Sequence, residues 1–117
     1  MPLYTSPVAY PAVSSVSEGV VATPAGTQVT ATQIVSRVNR VTIVATAGDA
    51  VRLPPFMTDG MIDVMNDSLN NLSVFAFEVT TQLASFPVGT PVTVLPGKDC
   101  RFLGTGTYGR WLAIQSA

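Results

Sequence analysis

The stretch from Gly48 to Asp67, GDAVRLPPFMTDGMIDVMND, constrains this chain more than any other part of it. Pro54 and Pro55 lack a backbone N–H and hold φ near −65°, so no regular helix runs through them. Before them, Val51 and Leu53 share one side of an extended chain. After them, Asp59-Gly60 is a turn pair, and Ile62 and Val64 share one side of the return. The stretch reads as strand, corner, turn and strand.

Similar segments flank it. Val38 to Thr46, VNRVTIVAT, is almost continuously β-branched or apolar, as is Leu72 to Val79, LSVFAFEV. Runs of that kind predict strands buried on both faces. A shorter strand is expected within Thr23 to Ser36, and others at Pro91 to Leu95, Cys100 to Leu103 and Arg110 to Gln115, each entered through Gly or Pro. Seven or eight short strands about ten residues apart, with no amphipathic helix, predict an all-β fold: a small antiparallel β-sandwich or barrel. A single domain over residues 21–117 is expected. Residues 1–20 hold Pro2, Pro7 and Pro11 and show neither period, so they read as an extended N-terminal arm. Its apolar residues Tyr4, Val8, Tyr10 and Val13 are the candidate partner-binding anchors.

Composition narrows the function. Only 11% of the 117 residues are charged, less than half the usual share, while 47% are hydrophobic and the net charge is −1. Few charges interrupt apolar surface and little repulsion keeps copies apart, which favours life inside an assembly. The six Lys and Arg are scattered singly, so no stripe exists to neutralise successive phosphates, and a nucleic-acid partner is not expected. No apolar run approaches the roughly 20 residues that span a bilayer, and the N-terminus has no basic, long apolar signal segment.

Motifs for chemistry are weak. Gly104-Thr105-Gly106-Thr107-Tyr108-Gly109 matches G-x-G-x-x-G, but a dinucleotide site needs a helix after the glycines and an acidic residue about 20 positions on. Eight residues remain, so the motif reads as a hairpin. Asp59, Asp63 and Asp67 recur every fourth residue; on a strand the last two lie about 13 Å apart, too far to share an ion, and all three read as solvated turn residues. There is no histidine, and Cys100, the single cysteine, shares parity with Phe102 and reads as a buried apolar residue. No cofactor or metal site and no catalytic residue is expected; acid–base chemistry at Asp63 and Asp67 is a remote third reading. Trp111 reads as core or sheet-edge packing, with carbohydrate stacking as the minor alternative. The sequons at Asn66 and Asn71 read as coincidental.

An AGTQVTAT opening, a V-N-x-V-T strand, GDAVRLPP, MIDVMNDSLNNLSVF, a GT-x-V-x-x-L-P-G-K stretch and a terminal Gly-Arg-Trp strand together resemble small virion proteins of tailed bacteriophages, specifically capsid decoration (cement) proteins. The resemblance covers about residues 22–115 and departs from the usual pattern at Phe77-Glu78-Val79-Thr80. It implies a β-sandwich protomer, a homotrimer, that binds the major capsid protein on the exterior of a shell assembled in the host cytoplasm, without enzymatic activity. A head- or tail-fibre module that attaches to host carbohydrate is the alternative; it requires an exposed aromatic platform near Trp111 and Tyr108.

Overall fold

A computed structural model describes residues 15–105 and 109–116. Among them are ten short strands and no helix: β1 (Val16–Val21), β2 (Thr32–Gln33), β3 (Val38–Ile43), β4 (Ala50–Arg52), β5 (Met61–Asn66), β6 (Leu72–Phe75), β7 (Gln82–Leu83), β8 (Val92–Val94), β9 (Asp99–Gly104) and β10 (Arg110–Gln115). They form a six-stranded sheet ordered β1-β3-β5-β9-β10-β7 and a four-stranded sheet ordered β2-β4-β6-β8. The all-β, two-sheet class is the one expected from the sequence.

The pairing differs from an antiparallel sandwich. The first six strands alternate between the sheets, and β1, β2, β3 and β4 each pair in parallel with the strand two places on, so the chain coils. Val16 pairs with Val38, and Val38 with Asp63; on the other sheet Thr32 pairs with Val51, and Val51 with Val74. Inside the coil, Ile34, Leu53 and Ala76 stack as buried residues, joined by Ile34 N–H to Arg52 C=O (2.9 Å) and Leu53 N–H to Phe75 C=O (2.8 Å). The chain then reverses. β8 pairs antiparallel with β6, β9 with β5 and β10 with β9, while β7 adds in parallel beyond β10. This antiparallel module covers one end of the coil, and β1 and β2 form the other.

The central stretch behaves as its residues require. Val51 and Leu53 are fully buried before the proline corner, and Ile62 and Val64 are buried on the return. Asp59 turns at φ 63°, in the left-handed region that Asp tolerates. The core joins both sheets, with Trp111, Phe102, Leu72 and Val94 fully buried.

Three expectations are corrected. β3 ends at Ile43 and is buried on one face only: Asn39 and Val41 point in, whereas Arg40 and Ile43 are exposed. β6 likewise buries Leu72 and Val74, with Ala76 after it, while Phe77 and Val79 are exposed. Both runs thus keep apolar residues exposed among the described residues. The strand expected within 23–36 shrinks to Thr32–Gln33, because side chains there satisfy backbone groups elsewhere. Gln28 Nε2 donates to the carbonyls of Ala76 (3.0 Å) and Glu78 (2.8 Å), and Thr30 Oγ1 accepts from Thr27 N–H (2.9 Å). β1 takes in residues 16–20 of the segment read as an arm.

Candidate functional site

Strand alternation decides what the six-stranded sheet shows to solvent. Ile62 and Val64 of β5, Cys100 and Phe102 of β9, and Trp111 of β10 point into the core. Their neighbours therefore point out. One outward row runs Leu112–Leu103–Met61 and the next Ile114–Arg101–Asp63–Val38, with Met65 beside Asp99 and Arg40. Ile114 is 58% exposed and Leu112 and Met65 are each 39% exposed. The result is an apolar face on β5, β9 and β10, interrupted by one ion pair.

In that pair Arg101 Nε donates to Asp63 Oδ1 at 3.0 Å, and the Asp63 side chain keeps only 12% of its exposure. Asp63 is thus a largely covered strand residue, not the solvated turn residue expected from its spacing; direct pairing with Arg101 across the β5–β9 register is the cause. Burial raises the Asp99 carboxyl above its ordinary range, the Asp63 charge adds to this, and Arg101 opposes it. Farther along the sheet Arg40 bridges Glu18 (2.9 Å) and Asp67, linking β1 to the residue after β5. These charges are exposed, so they tie neighbouring strands with little net energy.

The other carboxylates are absorbed by loops. Asp49, almost fully buried, accepts from Ala25 N–H (3.3 Å) and Thr46 N–H (3.1 Å). Glu78 accepts from Phe56 N–H (2.8 Å) and the Thr81 hydroxyl (3.0 Å). Among the described residues no three His, Cys, Asp or Glu groups gather as metal ligands. Cys100 is fully buried, as its parity with Phe102 predicts, and burial followed by the Asp99 charge pushes its thiol up to about 12.

Trp111 is fully buried and packs edge-to-face on Phe56, with ring centroids 5.4 Å apart. It cannot form the exposed aromatic platform that a carbohydrate-binding fibre module requires. Tyr108 lies outside the described residues, as do the arm anchors Tyr4, Val8, Tyr10 and Val13. The first glycine of G-x-G-x-x-G ends β9, whose antiparallel partner is β10, as a hairpin requires. Asn66 of the first sequon is fully buried and cannot accept a glycan as folded.

Two of the clefts that open to solvent border these strands. One, of about 490 Å³, lies between β1 and β2 at the first winding of the coil, against Val20, Val21, Ala22, Ile34 and Val35. The other, of about 550 Å³, is bounded by Val35, Arg37, Pro54, Met57, Met61 and Leu103 and adjoins the apolar face. Sequence reasoning did not single out Leu112, Ile114 or Met65. The signal for Leu112 and Ile114 was present in RWLAIQ, where both parities are apolar, but nothing in the sequence distinguished a buried face from one awaiting a partner. No protein-family model, curated protein or solved structure matches this chain.

Proposed function

We propose that this protein is a non-enzymatic structural subunit that binds the exterior of an assembled icosahedral bacteriophage capsid and stabilises it, as a decoration or cement protein. The observation that carries the proposal is the apolar outer face of β5, β9 and β10, where Ile114, Leu112 and Met65 surround the Arg101–Asp63 pair on a molecule with few charges. Such a face suits contact with a large, flat protein partner: apolar residues exclude water and one ion pair fixes orientation. The resemblance of residues 22–115 to decoration proteins supplies the partner, the major capsid protein, and the homotrimeric state. Tyr4, Val8, Tyr10 and Val13 of the arm are proposed to anchor on a neighbouring subunit.

Stabilisation of this kind needs no catalytic group. A ligand that binds only the assembled lattice stabilises it by mass action, by about 2.7 kcal/mol per site at a hundredfold excess over Kd. Several protomers engaged together add avidity. The test is co-sedimentation of the purified protein with shells of the virus that encodes it, comparing the natural chain with a Leu112→Glu/Ile114→Glu double variant. Both substitutions are at exposed positions, so folding should survive. The natural chain should bind and delay shell disruption on heating, and the variant should bind at least about tenfold more weakly, since two apolar contacts worth about 1 kcal/mol each are replaced by charge. No binding, or equal binding by both, defeats the proposal.

A further inference from the structure

Among the described residues the two sheets have four edges, and three of them are short. β2 and β7 have two residues each, and β8 has three, with Pro91 immediately before it and Pro96 two residues after. The fourth, β1, has six residues, with register shifts between Ser17 and Val21, and among the described residues it is paired on one side only, by β3. It also borders the 490 Å³ cleft, so the end of the coil presents both an edge strand and an apolar mouth, with the Val21 carbonyl already accepting from the Thr32 hydroxyl (2.8 Å). Coiled and repeat folds need that end covered.

The occupant is indicated by the 14 residues that precede Ser15. In an extended segment, residues of one parity direct their N–H and C=O to one edge and residues of the other parity to the opposite edge. Pro7 and Pro11 share odd parity, so the N–H groups they lack both belong to the same edge. Tyr4, Ser6, Val8 and Tyr10, all even, keep a complete set of donors for the other edge. The side chains of Tyr4, Val8 and Tyr10 also share one face. Residues 4–11 thus have the pattern of a terminating strand: one edge able to pair, the other closed by proline, and one apolar face.

The same chain is poorly placed to use it. Ser15 C=O already accepts from Val38 N–H at 3.3 Å and continues β1, leaving only Ala12, Val13 and Ser14 for a reversal. None of these is the Gly, Asn or Asp that supplies positive φ in a tight hairpin. A second copy escapes this constraint. We propose that residues 4–11 of one protomer add as a strand to the open edge of β1 in a second copy, with Tyr4, Val8 and Tyr10 covering the cleft at Val20, Val21 and Ile34. Exchange of the arm around a ring closes a homo-oligomer.

The proposal rests on the reading of this protein as a self-associating assembly subunit, but not on a capsid, and measuring mass without shells separates the two. Sedimentation equilibrium of the full chain at micromolar concentration is compared with Ser6→Pro and Ala9→Pro. The natural chain should be a closed oligomer. Ser6→Pro removes a donor from the pairing edge and should weaken association at least about tenfold, whereas Ala9→Pro, on the edge already closed by Pro7 and Pro11, should change it less than about threefold. Both substitutions lie outside the described strands, and the comparison between the two proline variants controls for any loss of folding. A monomeric natural chain, or any other pattern between the two variants, overturns the proposal.

Discussion

At Gly104 two stretches of backbone meet with no room for a side chain. Its N–H donates to Gly60 C=O at 2.9 Å and its C=O accepts from Asp59 N–H at 3.1 Å, so an added methyl group would fall well inside contact distance of the Met57 carbonyl oxygen. Gly104→Ala should cost about 3 kcal/mol, read from urea unfolding, because backbone on both sides must move. A loss below about 0.5 kcal/mol would mean that the 57–60 turn yields freely. The glycine that begins the G-x-G-x-x-G motif is therefore required by packing, a reason its spacing does not disclose. Asp99 offers a test of electrostatics. Its Oδ1 is buried with no hydrogen-bond partner among the described residues, and burial, then the Asp63 charge, raises its folded pKa above the unfolded value. A raised carboxyl contributes stability that is fully present below the unfolded pKa and is lost as pH rises through the folded one. Asp99→Asn, which has no charge to desolvate, should raise Tm at pH 7 and lose that advantage near pH 3, where the natural carboxyl is also neutral. An advantage that persists at pH 3 would assign the effect to the amide's hydrogen bonds instead.

Among the strands, the two buried asparagines hold the coil's corners. Asn39 Nδ2 donates to Ser36 C=O (2.7 Å) and Asp63 C=O (3.3 Å), binding a corner to the next winding. Asn66, at the end of β5, donates to Asn70 C=O (2.8 Å) and to Val94 C=O (2.9 Å) of β8, and accepts from the Ser68 hydroxyl at 2.6 Å, so it ties one sheet to the other. Asn66→Ala removes the buried donor shared by the Asn70 and Val94 carbonyls and should cost about 2–3 kcal/mol in chemical denaturation, whereas Asn71→Ala, exposed in the adjacent loop, should cost less than about 0.5 kcal/mol. Comparable losses would remove the bridging role. These elements also mark what a reader of the sequence can recover. Val51, Leu53, Ile62 and Val64 announce the central strands because their burial follows from alternation and from the proline corner between them. Asn66 conceals its role, since a polar residue after Met61-Ile62-Asp63-Val64-Met65 looks like the start of a turn until the carbonyls it serves are known. Ile43, Phe77 and Val79 mislead in the opposite direction: their apolar character implies a core, whereas they lie on the outside of the folded chain.

For the whole molecule, pairing sense was the illegible quantity. A β-branched run has the same alternation whether its neighbour runs parallel or antiparallel, and the links between β1 and β6 do not state which sheet the next strand joins. The candidate surface was hidden for a related reason, because Leu112 and Ile114 become an exposed row only once β10 is placed beside β9. The coil that results has an asymmetry with a dynamic consequence. Its last winding is held by the antiparallel strands β8, β9 and β10, its middle winding lies between two others, and its first, β1 with β2, has among the described residues a neighbour on one side only. In such stacked folds stability is approximately the sum of unit and nearest-neighbour terms, so a terminal unit with one interface opens at lower free energy than the interior. Amide hydrogen exchange at a concentration too low for self-association should therefore show Val20 to Gln33 losing protection well before β5 and β9. Raising the concentration should slow exchange in β1 selectively if arms from second copies cover its edge. Uniform protection from β1 to β9 at every concentration would describe a single cooperative unit whose open end needs no partner, and would remove the dynamic argument for capping it.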